Sequence, residues 1–402
     1  MASTVKLKTK EFAEMLSKAS KCTLKSSPDV LAGLVEIKLK NGVLSLRTTD
    51  TRNKLVLRKS GVEGEDFNTV IPITVFEKII AKTSKEDIIL TVDEKSVEVK
   101  GNGTYKFERM MEGDMPVEFQ PITLITDPDI KVEFETELLK KIIKYNGGSI
   151  GSAFVDPTIS GYYIGTDDVM TTDGYNACFY HTHLVDKPIM LYDTTLALLQ
   201  DFTDEKVMFL QKDKDIQFYS ASGLLTSHVH QYVDEFPAQP LSEFLNGVHP
   251  SSVSVSVKEA KEVLERVSLF VDDTDGTATL SFEDSGIVLT DKGGRVNEVI
   301  SYKNPKNFKN FLCKISIPGL LNMLDIDVSE EISVNFGNDI SIRIDVGDIT
   351  RVLALSDDDD TDDDIFEPAT KQPDDTVSED TNIGTLEEFE ASSTDSLADI
   401  EW

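Results

Sequence analysis

Cysteine, histidine and tryptophan are scarce in this chain of 402 residues, which has three, five and one of them respectively. Cys22, Cys178 and Cys313 are odd in number, far apart and never spaced as CxxC. That excludes a disulfide framework and a cysteine zinc site, and it fits a reducing compartment. Long apolar runs are missing too. No stretch approaches the ~20 apolar residues of a membrane span, and no apolar segment follows the opening MASTVKLKTKEF, so a soluble, unexported, cytoplasmic protein is expected. Nucleotide-binding loops are equally absent. KGGR at Lys292 lacks the spacing of GxxxxGK[ST], and neither GxSxG nor a GxGxxG opening a helix occurs.

Positive charge is in deficit, with 40 Lys and Arg against 72 Asp and Glu, a net charge of −32. The deficit is uneven. Residues 356–402 hold 18 of the acids and one base, Lys371. A run of that kind repels itself and cannot bury enough apolar surface to offset chain entropy, so a disordered acidic tail is expected there. Residues 1–355 keep 54 acids and 39 bases and an apolar content able to fill real cores.

What the chain does have is repetition. LKTKEFAEMLSKAS from Leu7, FETELLKKIIKYN from Phe134 and VSVKEAKEVLERVS from Val255 superpose at constant offsets of 127 and 121. Leu7, Phe134 and Val255 correspond, as do Phe12, Leu139 and Ala260, then Met15, Ile142 and Val263, then Leu16, Ile143 and Leu264. Within each segment the apolar residues recur at three and four, one face of a helix entered from a short strand. A second helix is expected to start at a proline in each copy: Pro72, Pro188 and Pro318. Between them lie alternating runs such as GVLSLRTT, DIQFYS and GIVLTD, which read as antiparallel strands with one buried face. The expectation is an α+β protein of three tandem repeats, each with two helices packed on antiparallel sheets. The units run 1–127, 128–246 and 247–355, and the acidic tail follows over 356–402. Thr-Thr-Asp at Thr48 and again at Thr171, with Thr290-Asp291 in the third copy, marks equivalent strand ends.

These repeat starts, with PTISGYYI followed by TTDGYNA, DEFP closing the second copy and LERVSLF in the third, resemble the bacterial-type DNA polymerase sliding clamp, the beta subunit, in a divergent phage-like form. The resemblance covers residues 5 to about 355. It implies the DNA clamp fold and a processivity factor without catalysis or cofactor, located in the cytoplasm, the host's if the source is viral. It further implies a head-to-tail homodimeric ring around double-stranded DNA, tethering a DNA polymerase and served by a clamp loader. The helices lining the hole would present Lys18, Lys21, Lys25, Lys78, Lys82, Lys85, Lys140, Lys141, Lys144, Lys258 and Lys261 to phosphates without sequence preference. Glu11, Glu14, Glu137, Glu262 and Glu265 share those helices, so lysines on an ordinary wet helix face account for the same pattern. The resemblance also implies a cleft for partner peptides, walled by Thr172, Gly174, Tyr175, Asn176 and Ala177 with Val352, Leu353 and Leu355 opposite. Tyr175-Asn176 stands where the family has His-Arg, so partner specificity does not carry over. In the tail, Ile365, Phe366, Leu386, Phe389, Leu397, Ile400 and Trp402 punctuate the acids, as in a segment that recruits a partner or folds back over the chain's own cleft.

Two other classes compete. A metal-dependent enzyme would use His181-x-His183 and His228-x-His230, whose spacing on strands points both rings of each pair to one face. It requires the two strands to be neighbours. A structural protein of repeated β domains shares the three-copy arithmetic but has no need of two amphipathic helices per copy.

Overall fold

A computed structural model describes residues 2–113, 115–271, 276–326 and 331–356; the acidic tail lies outside the described residues. The first copy comprises β1 (Ser3–Lys8), α1 (Thr9–Ser20), β2 (Leu34–Lys40), β3 (Val43–Thr49), β4 (Asn53–Ser60), β5 (Phe67–Pro72), α2 (Ile73–Ala81), β6 (Asp87–Val92), β7 (Ser96–Lys100) and β8 (Thr104–Glu108), then the short β9 (Met111–Glu112) and β10 (Met115–Pro116). The second comprises β11 (Ile130–Glu135), α3 (Thr136–Asn146), β12 (Gly161–Ile164), β13 (Asp168–Thr172), β14 (Asn176–His181), β15 (Ile189–Tyr192), α4 (Asp193–Leu199), β16 (Lys206–Lys212), β17 (Asp215–Tyr219), β18 (Gly223–His228) and α5 (Ala238–Leu245). The third comprises β19 (Ser251–Ser256), α6 (Val257–Val267), β20 (Thr277–Glu283), β21 (Gly286–Asp291), β22 (Asn297–Ile300), β23 (Tyr302–Lys306), β24 (Phe311–Ser316), α7 (Ile317–Met323), β25 (Glu331–Phe336), β26 (Ser341–Val346) and β27 (Ile349–Ala354).

The three copies thus share one order of elements, to which copy three adds one strand, β23, between its helices, and every residue in the four superposed sets is buried. α1 buries Phe12, Met15, Leu16 and Ala19 as one stripe and carries Glu11 in its first turn and Lys18 in its last, both favourable to the helix dipole. Between β2 and β3, Asn41 and Gly42 both take positive φ, the two-residue turn that matches strand twist. Two expectations need correction. Pro188 does not open a helix: Ile189–Tyr192 pairs with β12, and α4 begins after that strand. Copy two also has a third helix, α5, beyond the two expected in each copy; Pro240 lies in its first turn, where proline is tolerated.

Sheet pairing runs across the copies. An eight-stranded sheet has the order β11-β16-β17-β18-β4-β3-β2-β5, and a nine-stranded sheet the order β15-β12-β13-β14-β27-β26-β25-β19-β23. Copy one joins copy two through β4 and β18, with Asn53 opposite Ser227 and Leu57 opposite Gly223. Copy two joins copy three through β14 and β27, with Asn176 opposite Leu353 and Tyr180 opposite Ile349. Two four-stranded sheets, β1-β6-β7-β8 and β22-β21-β20-β24, end in the edges β8 and β22.

The helices pack in pairs, α1 with α2, α3 with α4, and α6 with α7. Lys18 and Lys21 reach from α1 to Asp201 just after α4, and Asn322 of α7 donates to the Gly148 carbonyl just after α3. The six form an unbroken row, α2-α1-α4-α3-α7-α6. The segment linking the first two copies covers the other face of the eight-stranded sheet. There Phe119 packs on Leu34 and Val70, and Ile122 packs on Val56 and Leu224. None of the described helices is long and apolar enough to cross a membrane.

Candidate DNA-facing row and partner cleft

The repeated Thr-Thr-Asp builds the same turn twice. In copy one, Thr49 Oγ1 donates to the Asn53 carbonyl, Asp50 Oδ1 accepts from the backbone of Arg52 and Asn53, and Asp50 Oδ2 accepts from Asn53 Nδ2. In copy two, Thr172, Asp173, Tyr175 and Asn176 make those bonds atom for atom. The turn needs a positive φ at its fourth residue: Gly174 supplies it at 94°, whereas Thr51 takes 78° at some cost. In copy three, Asp291 holds the backbone N–H groups of Gly293, Arg295 and Val296, with Gly293-Gly294 inserted. Arg295 therefore corresponds to Tyr175, and Val296 to Asn176. The Arg295 guanidinium bond, helped by those backbone donors, holds the Asp291 carboxyl down at about 2.

Each turn sits at a junction. Asn53 Oδ1 accepts from Thr195 of α4 at 3.0 Å, so the first junction is polar and satisfied. Gly319 of α7 stands where Thr195 stands. A Cβ there would lie 3.4 Å from Asn176 Oδ1, a buried acceptor without a partner among the described residues. The second junction is held instead by Arg351 of β27, which is buried. It donates to the carbonyls of Asn322 (2.7 Å) and Met323 (2.8 Å) at the end of α7, and to the Tyr145 carbonyl at the end of α3.

The eight expected cleft residues divide. Thr172, Asn176, Ala177, Val352 and Leu353 are buried, while Gly174, Tyr175 and Leu355 reach the surface. β14 and β26 start, and β25 and β27 finish, at one end of the nine-stranded sheet. The surface there carries apolar side chains that sequence reasoning missed: Ile340 (55% exposed) and Val248 (80%), beside Tyr175 (61%). Ala354 donates to the Tyr175 carbonyl, Leu355 to the Ile340 carbonyl and Asn338 to the Val248 carbonyl, which places all three around the end of β27. A sequence signal existed in each case, an apolar residue inside a polar turn, but such residues are usually scattered singly.

The eleven lysines lie on or just beyond the row of helices, except Lys25, which follows α1 in a loop. Lys18 and Lys21 are engaged with Asp201, Lys140 with Glu137, Lys258 with Glu262 and Lys261 with Asp325. Lys144 lies over the Tyr145 ring. Among the described residues, Lys25, Lys78, Lys82, Lys85 and Lys141 form no ion pair. A cleft of about 670 Å³ between α1 and α2 mixes Lys10 and Lys85 with Glu11, Glu14 and Glu86, so the row is mixed in charge, as the helix glutamates imply.

The histidine pairs do not converge. His181 ends β14 in the nine-stranded sheet, hydrogen-bonded to Asp168 and Thr350, whereas His228 ends β18 in the eight-stranded sheet beside Asp215. Among the described residues no group of three or more His, Cys, Asp or Glu could hold a metal ion, so the neighbouring strands that the metal reading requires are not there.

No protein-family profile matches the chain, and no curated protein matches it by sequence. Solved structures do. The DNA polymerase III beta subunit of Thermotoga maritima aligns at a TM-score of 0.75 over 88% of this chain and 99% of that one, at 15% identity. That of Borrelia burgdorferi aligns at 0.74 over 88% and 98%, at 16% identity. The DNA polymerase sliding clamp of Bacillus subtilis aligns at 0.73 over 89% and 99%, at 16% identity.

Proposed function

We propose that this chain, which has the fold of the bacterial DNA polymerase III beta sliding clamps, works as a sliding clamp: a non-catalytic ring that holds a DNA polymerase on duplex DNA. The units are taken as 1–127, 128–246 and 247–355. The observation that carries the ring is the repeated junction. β4 on β18 and β14 on β27 are one interface made twice. Of the strands equivalent to those in the two junctions, β8, equivalent to β18 and β27, and β22, equivalent to β4 and β14, remain as sheet edges among the described residues. A second copy supplies each missing partner. Head-to-tail contacts of this kind close into a ring when the rotation is right, and two copies of three pseudo-equivalent units provide it.

Transferring the two internal registers sets Val296 opposite Phe107, Asn297 opposite Lys106 and Ile300 opposite Gly103 of the second copy. The edges suit an apolar contact. Val299 is 44% exposed, and Val75, which stands where Thr195 and Gly319 stand, is 58% exposed and would meet Val296. Where the first junction has an Asn–Thr hydrogen bond, closure would have a valine pair.

In the ring the row of helices faces the duplex, with Lys78, Lys82, Lys85 and Lys141 the least committed to protein partners. Attraction to phosphates through few and mixed charges is weak, salt-sensitive and indifferent to sequence, which permits sliding. The Tyr175–Ile340–Val248 end of the second junction would receive polymerase and loader peptides. The test is retention of loaded protein on nicked circular DNA compared with the same DNA linearised. Loss on linearisation is expected; equal retention on both forms would leave only a basic surface.

A further inference from the structure

We infer that the cleft at the second junction is capped by the chain's own C-terminal segment, Leu397 to Trp402, which competes with outside peptides for the apolar surface of Tyr175, Ile340 and Val248; this rests on reading that cleft as the docking site. Four observations lead there. Three exposed apolar side chains, Tyr175, Ile340 and Val248, come from separate turns to one end of one sheet, around the last residues of β27. The chain leaves the described structure at that same place: Ser356 donates to the Lys314 carbonyl one residue beyond Leu355, itself bonded to Ile340. Another 46 residues follow, 357–402, so the segment is tethered at the rim of the cleft. Finally, that length is acidic and polar except for isolated apolar residues, and its last six residues hold three of them, Leu397, Ile400 and the chain's only tryptophan. A large aromatic flanked by aliphatics is the anchor type that dominates small interfaces.

Tethering makes a weak contact sufficient. An effective concentration of ~1 mM acting on an intrinsic Kd of ~0.1 mM keeps the cleft closed ~90% of the time. An outside peptide then binds ~10-fold more weakly than to the open cleft, because only the open fraction is competent. A partner with a stronger peptide, or with two, still displaces the cap. The device thus ranks partners by affinity.

Trp402 reports on the contact directly, since no other tryptophan contributes emission. In the full-length protein, acrylamide should quench it roughly fivefold less efficiently than in a Tyr175→Ser/Ile340→Ser variant, which alters two exposed positions and leaves the core intact. A second variant, Leu397→Ser/Ile400→Ser, should restore full quenching without touching the body of the protein. Protection that is independent of protein concentration and lost in both variants supports capping. Trp402 as accessible as free indole in the unaltered chain would overturn it, as would protection indifferent to Tyr175 and Ile340. Protection that grows with protein concentration would place the contact between copies and overturn capping by the chain's own segment. The measurement contains neither DNA nor partner, so its failure leaves the ring standing, and failure on circular DNA leaves the fluorescence result standing.

Discussion

Arg351→Met is the substitution whose consequence can be worked furthest from the structure. Methionine keeps the length and apolar stem of the arginine but removes its donors. Arg351 donates at 2.7 and 2.8 Å to the last carbonyls of α7, and also to the Tyr145 carbonyl at the end of α3. All three acceptors lie at the second junction, the Met323 carbonyl buried and those of Asn322 and Tyr145 partly so. Leaving each without its donor costs about 1 kcal/mol, so the junction should weaken by about 3 kcal/mol. The figure is a lower one because the guanidinium is itself buried, with Nε lacking a partner among the described residues, and its removal relieves some desolvation.

Three buried thiols make the assay local. Cys178 lies at the second junction with its Sγ against the Tyr145 carbonyl, Cys22 lies at the first against Thr48 and Asn53, and Cys313 lies within copy three. Burial pushes the Cys22 and Cys313 thiols up to about 12 and raises Cys178 as well, so none reacts until its surroundings open. Labelling under native conditions therefore counts openings, and a loss of about 3 kcal/mol raises the rate at Cys178 roughly 100-fold. Cys22 should label as before. Equal acceleration at Cys22, or none at Cys178, would refute the assignment of Arg351 as the tie of that junction.

Asp291→Asn should remove a pH dependence. Its carboxyl is held at about 2 when folded, so it contributes stability that is complete above the ordinary carboxylate range and is lost as pH falls towards 2. Thermal melts of the unaltered chain at pH 6 and pH 3 should differ by more than those of the variant. Charge reversal at Lys78, Lys82 and Lys85 should lower affinity for duplex DNA alike on any sequence and flatten its salt dependence by about 0.9 for each phosphate left without its cation, with only a small fall in melting temperature from the acids placed at the C-terminal end of α2. Reversal at Lys18 and Lys21 should instead lower stability, because both hold Asp201 across the first junction.

The triplication was legible because burial is periodic. Positions such as Phe12, Leu139 and Ala260 must all be apolar to fill one stripe, whatever else diverges. The two Thr-Thr-Asp turns were legible because their bonds are local and each residue has a fixed part in them. The joining of copies edge to edge was not, since a strand reads the same whether its neighbour lies in its own copy or the next. Pro188 misled because a proline before a helix and a proline before an edge strand meet the same backbone requirement. The residues proposed for the cleft were legible only as a turn: Thr172 to Ala177 lie where the chain enters β14, a strand buried on both faces at its start, so several of their side chains point into the protein. Ile340 and Val248 lie on other turns of the same sheet end, which only the topology brings together. The lysines of α1 were placed on the helix correctly; that two of them serve Asp201 depends on α4, 180 residues away.

The measurement that bears most directly on the ring is a cross-link between the two open edges. With Lys106→Cys on β8 and Asn297→Cys on β22, and Cys22, Cys178 and Cys313 replaced by alanine or serine, mild oxidation should join two chains twice over. The product should be a closed covalent dimer of twice 44.6 kDa, formed in preference to longer chains. The pair Lys106→Cys with Ile300→Cys, out of register, should cross-link poorly. Monomer that resists cross-linking at concentrations where light scattering shows association, or an open ladder of trimers and higher species, would contradict the account.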